Sequence, residues 1–228
     1  MPKILNIETA TDICSVSFCE DGKVISFQEN QEGFTHASTL TILIQKCLAE
    51  ANTNLESLDA VAVSQGPGSY TGLRIGVSVA KGICYALDKP LIAIDTLQAL
   101  AWACAEEEQK DAHYCSMIDA RRMEVYSAFY NKTNEETQPV SAIIIDENSF
   151  QSIFEKNEKI IFCGNGAEKC KPVLTSPLAL FSPIICSAKH LSFLSYQSYL
   201  QKDFCDLAYF SPLYYKSPNI TVSKKKIL

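Results

Sequence analysis

Ile7-Glu8-Thr9-Ala10-Thr11-Asp12-Ile13-Cys14-Ser15-Val16-Ser17-Phe18 aligns without gaps on Ile118-Asp119-Ala120-Arg121-Arg122-Met123-Glu124-Val125-Tyr126-Ser127-Ala128-Phe129, 111 positions later. In each copy an apolar strand ends on an acid, a short polar turn follows, and an alternating strand returns, the pattern of a β-hairpin. The offset is close to half of the 228 residues. That predicts two lobes of related topology, each opened by a hairpin whose turn faces the other lobe. Chance coincidence of two ordinary hairpins is the competing explanation, because short β patterns recur easily.

Outward from the first copy, Lys3–Ile7, Cys14–Cys19 and Lys23–Gln28 read as three strands, with Glu20-Asp21-Gly22 as a tight turn. A helix capped by Thr35 or Ser38 follows over about 36–51, with Leu40, Leu43, Ile44, Cys47 and Leu48 on one face and Ile42 off it. A strand at 60–64, a helix at 70–87 and a strand at 91–94 complete a β-β-β-α-β-α-β order with parallel crossovers. From the second copy outward, a helix at about 97–108 precedes strands at 114–119 and 124–130. A strand over Val140–Asp146, a strand Ile160–Cys163, and helices near 167–174 and 188–201 follow. The lobe boundary falls at 97/98, and the aromatic tail Tyr209–Tyr215, broken by Pro212, suits lying extended across another surface, the first lobe included.

Between the strand at 60–64 and its helix lies Ser64-Gln65-Gly66-Pro67-Gly68-Ser69, an elbow in which Gly66 and Gly68 supply angles that a β-carbon resists. Ser69 or Thr71 caps the helix, and Asp88-Lys89-Pro90 halts it. At 100° per residue, Ile75, Val79, Ile83 and Ala86 share one sector, and Leu73, Gly76, Val77, Ala80, Cys84 and Leu87 an adjoining one. Arg74, Ser78, Lys81, Tyr85 and Asp88 keep a polar stripe. The apolar arc is about twice the ~100° that one core face requires, so two surfaces must be covered. Gly72, Gly76 and Ala80 recur every fourth residue, a spacing that admits close approach of a second helix.

An apolar content of 47% supports a sizeable core, and a net charge of −6 argues against a protein that grips nucleic acid unaided. Lys224-Lys225-Lys226 reads as a solvated end. The ten cysteines contain no C-x-x-C pair and read as small buried hydrophobes. His36, His113 and His190 are too dispersed for a metal-binding helix. Met1-Pro2-Lys3 runs directly into a strand pattern and no apolar run approaches the ~20 residues of a membrane span, so a cytoplasmic protein is expected.

Two lobes opened by acidic hairpins are similar to the actin-like ATPase architecture, an α/β fold of the ribonuclease H-like kind in which each lobe is a mixed sheet with flanking helices. Ile7–Thr11, Ser64–Gly82 and Ile118–Tyr126 together resemble the TsaB (YeaZ) family over about the first 130 residues. The remainder resembles it through Gly164-Asn165-Gly166 and Pro212-Leu213-Tyr214. The resemblance implies a non-catalytic scaffold that binds TsaD in making N6-threonylcarbamoyladenosine at position 37 of tRNA. It implies TsaE as a second partner and TsaC as a further candidate, with tRNA reached indirectly and a homodimer in isolation. ATP, ADP and Mg are expected on the partner proteins, and no cofactor or metal is assigned to this chain.

The partner-binding residues expected on the two first-lobe helices are His36, Leu40, Leu43, Ile44 and Cys47, then Tyr70, Leu73, Arg74, Gly76, Val77, Ala80 and Lys81. Val77→Glu or Gly76→Arg is expected to abolish TsaD binding in a folded protein. TsaD-type proteins carry His-x-x-x-His on the first of these helices, where this chain has His36 and Leu40. Glu8, Thr9, Thr11, Asp119 and Arg121 mark a vestigial nucleotide site, since the turn Thr9-Ala10-Thr11 has no glycine to admit a phosphate. Glu8 stands where the family usually has aspartate, and Arg121-Arg122 where a glycine is common. At a strand end such acids bond turn N–H groups. The alternative function is an active actin-like ATPase or phosphotransferase with Glu8 and Asp119 as metal and base carboxylates. A peptidase lacks both ligands and a nucleophile constellation.

Overall fold

In the computed structural model, which describes residues 1–31 and 36–216, both hairpins form and each seeds a five-stranded mixed sheet. The first sheet contains β1 (Lys3–Glu8), β2 (Cys14–Glu20), β3 (Lys23–Asn30), β4 (Ala60–Gly66) and β5 (Leu91–Asp95) in the order β3-β2-β1-β4-β5. The second contains β6 (His113–Asp119), β7 (Glu124–Tyr130), β8 (Glu136–Ile144), β9 (Ile160–Cys163) and β10 (Ala179–Phe181) in the order β10-β9-β6-β7-β8. β1 pairs antiparallel with β2 and parallel with β4, and β6 does the same with β7 and β9. The topology is therefore repeated strand for strand, and the fold is the two-lobed, actin-like one that the duplicated hairpin predicts.

The repeat is not gapless in space. Glu8 faces Ser15, whereas Asp119 faces Val125, so the second turn is one residue shorter and the return strands are offset by one from the sequence alignment. β8 begins at Glu136, four residues before the predicted strand, because its polar start and Pro139 lie on a sheet edge where a missing N–H is tolerated. The helix expected at 167–174 is a single 3₁₀ turn, Glu168–Cys170, carried onward by i to i+3 bonds from Cys170 and Val173. Pro172, which has no N–H to offer Glu168, prevents an α-helix there. The short strand β10 and a four-residue helix, Gln151–Phe154, had no sequence signal of their own.

Helices α1 (His36–Glu50) and α2 (Tyr70–Leu87) cover the outer face of the first sheet, where Leu5, Ile7, Val16, Phe18, Val61 and Val63 meet them. Ser69 caps α2, its Oγ accepting the Gly72 N–H at 3.2 Å, and Asp88 closes it in the left-handed region at φ 52°. Each sheet's last strand then sends its helix to the other sheet. The helix α3 (Thr96–Glu108), which follows β5, packs on β6 and β7. Near the C-terminus, a 3₁₀ turn at Ala188–Leu191 and the helix Ser192–Gln201 return to β1, β2 and β5. That return is fixed by a buried polar network. Ser195 Oγ donates to Asn6 Oδ1 at 2.6 Å, Ser17 Oγ donates to Ala188 O at 2.9 Å, and Ala188 N donates to Ser15 Oγ at 2.9 Å. Where the two exchanged helices meet, Trp102 stacks on Phe193 at 4.3 Å between centroids.

Beyond Gln201 the tail lies across α2. Cys205 bridges to Leu91 at the sheet edge, Phe210 packs into the first core, and Leu213 N donates to Gln65 O at 2.8 Å. The Thr35 cap and the Lys224-Lys225-Lys226 end lie outside the described residues. Among the described residues no helix is long and apolar enough to cross a membrane.

Candidate functional site

The elbow after β4 and the turn after β1 are pressed together. Ser69 N donates to Ala10 O at 2.6 Å, and a Cβ on Gly68 or Gly72 would overlap the carbonyls of Ala10 or Thr9. A Cβ on Gly76 would overlap Thr9 Oγ1, itself a buried hydroxyl without a partner. At Gly72 and Gly76 the small-residue stripe of α2 is thus occupied by the chain's own hairpin turn rather than by a second helix.

Glu8 is 1% exposed at this junction, with Oε1 accepting from Ala10 N at 2.6 Å and Ser64 Oγ at 2.9 Å. Burial drives its pKa from the ordinary 4.5 up to about 7, against the opposing pull of those hydrogen bonds. Thr11 O meets His36 Nε2 at 2.8 Å, which ties the first turn of α1 to the hairpin, and the Ile13 N–H donates to Thr11 Oγ1 at 3.3 Å. The second acid has different surroundings. Asp119 is partly exposed, accepts the Arg121 N–H at 2.8 Å and is ion-paired with Lys169, whose ammonium also donates to Glu124 O. Both acids therefore receive the N–H two residues on, and they share no partner. Arg121 and Arg122 hold φ of 73° and 53°, the left-handed backbone for which glycine would be the easier residue. Among the described residues, no group of three or more His, Cys, Asp or Glu could hold a metal ion.

On the helices, the structure places most of the expected partner-binding residues inside. Leu40, Leu43, Ile44 and Cys47 on α1, and Val77 and Ala80 on α2, are buried in the chain's own first core, while Leu73 is buried beside Gly66 of the elbow and Gly76 and His36 against the hairpin. Both helices need those faces to cover the first sheet, so these nine positions present no side chain to a partner in this arrangement. Tyr70, Arg74 and Lys81 remain at the surface, but the tail engages them. Tyr214 accepts from Arg74 Nε at 3.2 Å and packs on Tyr70 at 5.0 Å between centroids, while Lys81 Nζ donates to Ala208 O and Phe210 O.

What stays open is the second apolar sector of α2. Ile75, Val79 and Ile83 pack against the core yet are only partly buried, and Ile42 on the neighbouring α1 is 48% exposed. Helical periodicity had shown the sector; it could not show which sector the sheet would take.

Known proteins resemble this chain in sequence and in fold. A family model described as "TsaD: tRNA N6-adenosine threonylcarbamoyltransferase" matches residues 33–211. The "tRNA threonylcarbamoyladenosine biosynthesis protein TsaB" of Buchnera aphidicola subsp. Schizaphis graminum is 30% identical over 174 residues, which cover 74% of this chain and 80% of that protein. The chain belongs to the TsaB (YeaZ) family. A TsaB protein from Haemophilus influenzae is 36% identical over 123 residues, 54% of this chain and 51% of its own length, so the chain spans about half of that curated relative. Among solved structures, "YeaZ from Pseudomonas aeruginosa" superimposes with a TM-score of 0.80 at 26% identity, over 94% of this TsaB-family chain and 100% of that one.

Proposed function

We propose that this TsaB-family chain is a non-catalytic binding subunit of the machinery that makes N6-threonylcarbamoyladenosine in tRNA, and that it docks on a TsaD protein through α1 and α2. The observation that carries the proposal is the half-open aliphatic sector Ile75, Val79 and Ile83 on α2, with Ile42 of α1 also exposed. Its neighbours Val77 and Ala80 are already buried in the core over the sheet, so this sector is left for another surface. The family model that matches most of the chain is a TsaD model. Two proteins of one fold present corresponding helices, and a pseudo-symmetric packing of two helices from each follows the geometry of an isologous contact. A specific complex buries roughly 1,200–2,000 Å². In the absence of TsaD the same sector serves a homodimer. TsaE and TsaC join through the complex, which also brings the tRNA, and ATP, ADP and Mg belong to those partners.

The hairpin acids support a non-catalytic role. A phosphotransferase would need Glu8 and Asp119 directed at one ligand, whereas Glu8 is enclosed by Ala10 and Ser64 and Asp119 is engaged by Lys169. A pKa near 7 would suit a general base, but a carboxyl 1% exposed has no substrate to reach.

Co-expression with TsaD tests the assignment. Val79→Glu and Ile83→Glu should each lose TsaD on affinity capture while melting within a few degrees of wild type. Undiminished capture by the folded variants would refute docking through α2. Mg-ATP turnover by the isolated chain, lost in Asp119→Ala, would replace the scaffold with the phosphotransferase.

A further inference from the structure

The tail and α2 enclose a groove of about 360 Å³ whose polar lining consists of Arg74, Ser78 and Lys81 from the helix and Ser211 and Tyr214 from the tail, over Phe210. Its groups are mismatched in one direction. The Tyr214 oxygen accepts from Arg74 Nε, which leaves the phenolic proton to be donated elsewhere. Lys81 has three protons and gives two of them to the Ala208 and Phe210 carbonyls at 3.2 and 3.0 Å. Neither Arg74 nor Lys81 forms an ion pair among the described residues, on a chain with 26 acids and 20 Lys and Arg. A guanidinium, an ammonium proton, a phenol and two serine hydroxyls therefore line one depression, and no carboxylate there receives them.

An ionised carboxylate is acceptor-only and takes charge-assisted bonds from such donors. We propose that this groove receives the carboxylate of an Asp or Glu side chain on the protein that docks on α2. The proposal rests on the docking function above for the identity of that protein. The tail is then part of the binding surface rather than a cover over it. Tyr214 fixes the Arg74 head from one side while the Tyr70 ring lies 4.4 Å from the guanidinium carbon. That arrangement pre-orders a long side chain before the partner arrives.

The test follows the Arg74 Nε–H resonance of the full ¹⁵N-labelled chain on addition of TsaD, a capped hexaglutamate peptide, or inorganic phosphate. TsaD affinity is measured in parallel at 50 and 300 mM NaCl for wild type, Arg74→Gln and the Arg74→Gln/Lys81→Gln pair. The expected result is a shifted Arg74 signal with TsaD, at least tenfold weaker binding by the double variant at low salt, and a shallower salt dependence than wild type. Wild-type affinity and salt dependence in the double variant would overturn the carboxylate groove while leaving docking intact. If TsaD does not bind but the peptide saturates the Arg74 signal, and Arg74→Gln abolishes that binding, the partner is wrong and the groove stands. A signal moved by phosphate alone, or by none of the three, overturns the groove.

Discussion

Replacing Glu8 with glutamine should flatten the pH dependence of stability between about pH 4.5 and 7. The carboxyl is enclosed, and its pKa rises from 4.5 to about 7 because burial disfavours the charged form. A native state that holds its proton more tightly than the unfolded chain is favoured at low pH. Glu8 therefore costs nothing electrostatically below pH 4.5, where it is neutral in both states, and destabilises progressively as pH rises to 7. The full swing is about 3 kcal/mol. For a chain of this length that corresponds to roughly 6–12 °C in Tm. Asp95, raised to about 6 by burial, contributes in the same direction, and His190, lowered to about 4 by burial, contributes in the opposite one between pH 4 and 6.5. Both are unchanged in the variant, so the difference between wild type and Glu8→Gln isolates Glu8. Guanidinium titrations at pH 5, 6, 7 and 8 measure it, with a gap that widens toward pH 8 in favour of the variant. Parallel profiles for the two proteins would show that Glu8 is not sealed as described.

Val77→Glu should cost at least ~4 kcal/mol and lower Cm in denaturant. Val77 is 5% exposed in the first core, so the loss of TsaD capture expected for this variant from sequence would come from unfolding. Gly66→Ala should destabilise by ~1–3 kcal/mol, since Gly66 sits at φ 114° and a new Cβ would lie 2.8 Å from Leu213 O. Faster hydrogen exchange at the Leu213 amide, which donates to Gln65 O, would mark the loosened tail.

The duplicated topology was legible because an acid ends each opening strand and both acids do the same local work, accepting the N–H of Ala10 and of Arg121. The one-residue difference between the turns was not, since a gap that short leaves the alternation of β2 and β7 looking aligned. β8 starts early because polar residues suit an edge strand and carry no apolar signal. The face expected to meet a partner is buried for a different reason. Gly72, Gly76 and Ala80 have the spacing of a helix contact, but close approach is satisfied by any neighbour, and here Thr9 of the hairpin turn takes the space at Gly72 and Gly76 while Ala80 packs in the first core. Once the hairpin and sheet have claimed the Leu73–Val77–Ala80 sector, Ile75, Val79 and Ile83 are what remains. Arg74 and Lys81 were visible as a polar stripe, yet their chemistry depends on the tail: Tyr214, 140 residues from Arg74 in the chain, and the Ala208 and Phe210 carbonyls that Lys81 meets.

Some enzymes close domains around a ligand, and several contacts here tie the two sheets of this chain together. The helix α3 leads from β5 of the first sheet onto β6 and β7 of the second, and the C-terminal helix returns from the second sheet to β1 and β5. The tail adds a third tie. Leu213 and Tyr214 hold Gln65 and Arg74 of the first lobe, while Tyr215 packs on Tyr126 and Lys216 pairs with Glu124 of the second. Separating the lobes would break these contacts together with the Asn6–Ser195 network. A surface held from both sides loses less conformational freedom when another protein binds it, and that saving is retained as affinity. The same cross-ties that resist opening around a small ligand therefore favour presentation of α2 and its tail as one pre-ordered face.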